Sequence, residues 1–192
     1  MNHVLATLGL PPQAPETLYR YVGEGARVLI ERALGRVHAA HLDRGVATFM
    51  DFYRVHLLDA TRPYPGIEPA LASLAEHGVA LSVLTNKPVA LSRAIVEGLG
   101  LCRWFVDVIG GDSLPVRKPD PAGLELLRGR TGTARERVLL VGDSHIDVET
   151  ARNAGVAFCG VAWGLVPEAL RAARPERMVT HPAEVVALAC GG

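Results

Sequence analysis

Beyond residue 65 the chain alternates short, almost uninterrupted aliphatic runs with amphipathic stretches of helical period, and few folds accept that rhythm. The runs are 79–84, 105–109, 138–141 and 156–161; the amphipathic stretches are 67–77, 89–99, 121–130 and 146–154. A strand wet on one face alternates apolar with polar residues, whereas strands of a parallel sheet covered by helices on both faces stay apolar throughout. The expected fold over 65–192 is therefore an α/β, doubly wound parallel sheet, with ligands bound beyond the carboxyl ends of its strands. Pro63, Pro65 and Gly66 punctuate its start. Before them, 1–64 contain no such run. Apolar positions recur at three and four, as in Val28, Leu29, Arg32 and Ala33, or Phe49, Phe52, Tyr53, His56 and Leu57, so this part reads as a small helical bundle.

Charge narrows the function. Lys+Arg and Asp+Glu each number 20, which removes the net attraction that nucleic acid or an anionic membrane would exert. No apolar run approaches the roughly 20 residues of a membrane span, and residues 1–10 lack the layout of a signal peptide. A cytoplasmic protein is expected, monomer or homodimer, with no nucleic acid and no membrane among its partners. Cys102, Cys159 and Cys190 lie too far apart for a metal-binding spacing and read as reduced structural thiols. His38 and His41 would share a helix face at i, i+3, with no third ligand at metal spacing.

Three strand ends carry polar residues. In LSVLTNKP, Thr85 and Asn86 end the first run, followed by Lys87 and a proline suited to opening a helix. A hydroxyl and free backbone N–H groups there either hold an oxyanion or cap the helix. In VRKPDP, Lys118 precedes Pro119, and Asp120 and Pro121 open the next helix. Two prolines stiffen the backbone, so this lysine is aimed at a site or stands on the surface of a rigid turn. In VLLVGDSHIDVETARNAG, Asp143 follows the third run and Asp147 falls in the first turn of a helix. Converging carboxylates suit Mg²⁺, which takes oxygen ligands and keeps waters; capping by Ser144 or Asp147 is the plainer reading. His145, beside Asp143, reaches substrate or solvent. Trp104 with Phe105 reads as packing at a strand start and Trp163 with Gly164 as part of a loop beside the site, packing being the plainer use of both.

Threonine, then lysine, then GDxxxD, each after a parallel strand, resembles the haloacid dehalogenase superfamily of phosphohydrolases. TNKP, RKPDP and VGDSHIDVETARNAG are similar to its phosphoglycolate phosphatase branch, and the resemblance covers essentially the whole chain. It implies a Rossmann-like core at 65–192. It also implies a helical cap at 1–64, including the end of the first core helix, that closes over the site. It further implies that Thr85 and Asn86 bind the transferring phosphoryl group and that Lys118 offsets its charge. Asp143 then ligates Mg²⁺, and Asp147 supports the metal's waters and orients Lys118. The implied activity is Mg²⁺-dependent hydrolysis of a small phosphorylated metabolite, 2-phosphoglycolate first, through an aspartyl-phosphate. A sugar-phosphate mutase or a phosphonate-cleaving relative uses much the same core. A response-regulator receiver orders its acids first, and dehalogenases resemble SxN where this chain has GDS. Arg20, Arg27 and Arg32 grip a substrate carboxylate or are solvated helix arginines.

The same resemblance implies an attacking aspartate in a DxDGT-like pattern, on a central strand between the strands ending at Thr85 and Asp143. No Asp precedes Asp43, which we place mid-helix in the cap, and MNHVLATLGLPP resembles the second half of the helix that follows that strand. The central nucleophile strand is thus expected to be absent from this chain, and the chain as written to be inactive. Each buried backbone group left unpaired at the two inner edges would cost about 1–3 kcal/mol. Three explanations stand: a start codon assigned too late, a binding or regulatory protein whose sheet has closed or borrowed a strand, or a non-functional remnant.

Overall fold

The three-and-four spacing of the first residues becomes α1 (Asn2–Thr7), α2 (Pro15–Tyr19), α3 (Ala26–Leu34), a 3₁₀ turn (Arg36–His41) and α4 (Leu42–Val55) in the computed structural model, which describes residues 1–191. The chain divides into two compact units, Met1–Thr61 and a second from Arg62 onward. In the first, Leu5, Ile30 and Leu34 form the buried centre, with Leu8, Leu29, Leu42, Val46 and Phe49 packed around them. Gly45 lets α4 lie close to α3, since a Cβ there would come within 3.0 Å of Ile30 Cγ2. Asp43 is not mid-helix. It stands in the first turn of α4, where the helix dipole favours a carboxylate, and pairs with Arg27 at 2.8 Å.

In the second unit α5 (Ile67–Glu76) leads to β1 (Leu81–Leu84), α6 (Val89–Gly98), β2 (Phe105–Ile109), α7 (Ala122–Thr131), β3 (Leu139–Gly142), α8 (His145–Ala154) and β4 (Ala157–Val161). It ends with α9 (Pro167–Ala172), β5 (Met178–Val179) and α10 (Pro182–Cys190). The strand and helix order is the expected α/β one, and every ladder is parallel. β1 begins later than its apolar run because Gly78, at φ 73°, ends α5 and Val79 N donates to Leu74 O. Val138 is likewise drawn into the preceding turn by its bond to Arg135 O. Two clusters fill the core: Leu140, Val148, Ala151, Phe158 and Leu170, and Cys159, Val161, Val179 and Val185. Burial pushes the Cys159 thiol up, so it stays protonated and inert.

The strands form two sheets, β1–β2 and β3–β4–β5, with no ladder between β1 and β3. Each of these two strands has one partner, and its other edge meets no strand among the described residues. That alters burial. All four residues of β1 are only half-buried and Val141 in β3 is 40% exposed, although strands of a covered parallel sheet ordinarily disappear from solvent. Among the described residues, no helix is long and apolar enough to cross a membrane.

Candidate functional site

The chain leaves β1 through Thr85, Asn86, Lys87 and Pro88, and this short loop is stitched to the exit of β2. Thr85 N donates to Ile109 O (3.0 Å) and Gly111 N to Lys87 O (2.9 Å). Val89 N, at the start of α6, donates to Asp112 Oδ1 (2.7 Å). Thr85 Oγ1 accepts from Lys87 N at 3.1 Å, a local turn that fixes the hydroxyl. The approach demands two glycines: a Cβ at Gly110 would lie 2.3 Å from Val89 N and one at Gly111 2.4 Å from Asn86 O. The carboxylate bonding the α6 N-terminus therefore comes from the neighbouring loop, through Asp112, rather than from the Thr85–Asn86 end itself.

Asn86 is buried, and its Nδ2 donates to Lys118 O at 3.0 Å. Lys118 is no surface lysine: its side chain is 12% exposed and its ammonium donates to Asp147 Oδ1 at 2.6 Å, with the Asp147 side chain 7% exposed. The other oxygen, Asp147 Oδ2, accepts from Ser144 N (3.1 Å) and Ser144 Oγ (2.6 Å), while Asp147 N donates to Ser144 Oγ (3.3 Å). This is a capping box. Capping and lysine-holding are thus one arrangement, with one carboxylate oxygen assigned to each. Gly142 makes room for it, because a Cβ at that position would stand 2.5 Å from Asp147 Cγ.

One continuous hydrogen-bonded chain, Asn86 to Lys118 to Asp147 to Ser144, therefore bridges the exits of β1 and β3, which no ladder joins. Asp143 lies next to Ser144 in sequence, directly after β3. Its Oδ2 accepts from Leu165 N at 3.3 Å, and among the described residues no donor reaches Oδ1. No three His, Cys, Asp or Glu side chains gather anywhere among the described residues, which leaves no protein cage of the zinc kind. A cation at Asp143 would be held by one carboxylate oxygen plus waters and substrate oxygens, a donor set that fits Mg²⁺.

Of the remaining sequence candidates, His145 is exposed, and Trp163 packs beside the Cys159–Val185 cluster. Arg27 and Arg32 pair with Asp43 and Glu24, and Arg20 is exposed. Trp104, under the Arg103 guanidinium at 4.1 Å, lines a surface cleft of about 560 Å³ with Tyr64, Pro65 and Pro69. None of the strand-end groups borders that cleft, so hydrogen bonding and burial rather than concavity mark the site. Asp112 carries a site contact that sequence reasoning passed over, and Gly164, expected in a loop beside the site, lies against Asp143. The available signal for Asp112 was a glycine pair directly after an apolar run.

A family model of haloacid dehalogenase-like hydrolases matches residues 1–161. The phosphoglycolate phosphatase of Mesorhizobium japonicum is 38% identical over 186 residues, covering 94% of this chain and 82% of the relative. That of Rhodospirillum rubrum is 41% identical over 172 residues, covering 85% and 71%. Among solved structures, a predicted phosphoglycolate phosphatase from Haemophilus somnus matches with a TM-score of 0.87 at 27% identity, over 97% of this chain and 87% of that one.

Proposed function

The chain belongs to the haloacid dehalogenase-like hydrolase family, and from that premise we propose that it carries most of a Mg²⁺-dependent site for a small phosphate monoester, 2-phosphoglycolate first among them. The observation that carries this reading is the buried bridge from Asn86 through Lys118 to Asp147 and Ser144, next in the chain to Asp143, one of whose oxygens meets no donor among the described residues. Phosphoryl transfer spreads negative charge over the equatorial oxygens of the moving group, so catalysis is chiefly positioning and electrostatics. Lys118 supplies one fixed positive charge, held by Asp147 and unable to wander into solvent. Thr85 offers a hydroxyl, with Asn86 beside it, on a loop that the Gly110–Asp112 segment keeps rigid. Asp143 would hold the Mg²⁺, and the ion, when bound, offsets the repulsion between an anionic ester and an attacking carboxylate. The names of the phosphatases from M. japonicum and R. rubrum support 2-phosphoglycolate as substrate. The even balance of charge supports a protein without nucleic-acid or membrane partners.

Hydrolysis through an aspartyl-phosphate needs an attacking carboxylate that this site does not present. Asp147 has both oxygens engaged, and Asp143 is assigned to the cation. The unpaired inner edges of β1 and β3, with their half-buried side chains, support a central strand between them as the source of that carboxylate. We infer that residues 1–192 by themselves bind but do not turn over. A phosphate-binding protein without activity is the second reading, favoured because Asp147 is engaged by Lys118 and Ser144 and Asp112 by the α6 N-terminus.

The test compares residues 1–192 with the same chain extended by an apolar strand ending in DxDGT, translated in frame from the upstream DNA. Expected is no Mg²⁺-dependent release of phosphate from 2-phosphoglycolate or p-nitrophenyl phosphate by the first, and release by the second. Turnover by the first, abolished in Asp143→Asn, overturns the inferred inactivity; an extended protein inert toward phosphate monoesters overturns the phosphatase reading.

A further inference from the structure

The loop after β4, residues 162–166, contains no titratable side chain, yet it presses on the carboxylate at the end of β3. A Cβ on Gly164 would stand 2.3 Å from Asp143 Cβ, 2.5 Å from its Oδ2 and 2.8 Å from its Cγ. No side chain of any size fits there. The backbone at Gly164 lies outside the left-handed region, so space and not conformational freedom accounts for the glycine. The next residue then binds the same oxygen, Leu165 N donating to Asp143 Oδ2. The loop is itself anchored on both sides: Trp163 packs beside the cluster of Cys159, Val161, Val179 and Val185, and Leu170 in the following α9 is wholly buried. A firm backbone surface with one amide donor therefore clasps Asp143 by one oxygen and leaves the other unoccupied.

We propose that Gly164 and the Leu165 amide are positioning elements for cation binding by Asp143. They fix the carboxylate's orientation and satisfy Oδ2, so that Oδ1 is the oxygen offered to a divalent ion. The proposal rests on the reading that Asp143 holds Mg²⁺, and it adds that a residue with no functional group sets the strength of that binding. Elements that orient a metal ligand ordinarily contribute about 10–100-fold to metal affinity.

The test is titration calorimetry of residues 1–192 with MgCl₂ alone, together with the metal-free melting temperature. The proteins are the wild type, Asp143→Asn, Gly164→Ala, and a semisynthetic protein whose Leu165 amide is replaced by an ester, which deletes the N–H without adding bulk. Binding is expected in the wild type, lost in Asp143→Asn, and weakened about tenfold or more in Gly164→Ala. The ester should weaken it as well, with a melting temperature close to that of the wild type. If the wild type binds no Mg²⁺, or Asp143→Asn binds it equally well, the assignment of Asp143 as metal ligand falls and the proposal with it. If the wild type binds through Asp143 while the ester and Gly164→Ala bind as tightly, the positioning proposal alone is overturned. Should Gly164→Ala fail to fold, the ester decides.

Discussion

Replacing Asp147 by asparagine strips a buried lysine of its counter-charge. The carboxylate oxygen Oδ1 lies 2.6 Å from Lys118 Nζ, with the two side chains 7% and 12% exposed. Water therefore does little to compensate. An asparagine oxygen can still accept from Ser144, so the helix cap survives; what is lost is the negative charge facing the ammonium. Breaking a buried pair from one side costs about 3–5 kcal/mol, against a typical net stability of about 5–15 kcal/mol. At about 2–4 °C per kcal/mol for a chain of this length, the melting temperature should fall by about 6–20 °C. In Lys118→Met/Asp147→Asn the stranded charge is gone and an apolar stem of similar volume takes its place, so the loss should shrink to about 1–2 kcal/mol. Urea unfolding followed by circular dichroism gives all four corners of the double-mutant cycle, with equal slopes confirming that only stability has changed. A single Asp147→Asn variant within 1 kcal/mol of wild type, or a double variant no more stable than the single one, would refute the reasoning. Lys118 would then be solvated rather than fixed, and could not be the aimed charge at the strand ends.

Two further outcomes concern the packing around the site and in the helical unit. Asp107 in β2 meets Arg130 and Arg93, and its carboxyl is held below the usual range, first by the Arg130 hydrogen bond, with help from Val108 N and against the opposing effect of burial. A depressed carboxyl contributes stability that is present above its unfolded value near 4 and lost as the pH falls through the lowered folded value. Asp107→Asn should therefore make the acid limb of a stability–pH curve shallower, and unchanged slopes below pH 4 would contradict this. Ile30, 0% exposed between Leu5 and Leu34, should cost about 2–5 kcal/mol when replaced by alanine. Thermal unfolding reads that loss, and a drop smaller than about 1 kcal/mol would mean the helices do not pack around it as described.

The fold was legible where burial imposes a period. β2 coincides with its apolar run, Phe105–Ile109, because its one polar residue, Asp107, is taken up by Arg130 and Arg93 while Val108 and Ile109 are buried. β5 was not legible, since two residues, Met178–Val179, carry no period at all. β1 and β3 were shifted by turns whose backbone bonds leave no mark on hydrophobicity. The site divides along the same physical line. Thr85, Lys118, Asp143 and Asp147 stand out because each functional group follows an apolar run, whereas Gly110, Gly111 and Gly164 act through the volume a missing Cβ leaves free. In the sequence such a glycine looks like any turn glycine. Nor could pattern alone separate capping from lysine-holding at Asp147, because the two uses occupy different oxygens of one carboxylate. Period and position report what a residue does along its own element. The contacts that make this site cross between elements, 32 residues from Asn86 to Lys118, 29 from Lys118 to Asp147 and 22 from Asp143 to Leu165, and only the packed sheets and their loops bring those distances down to hydrogen bonds.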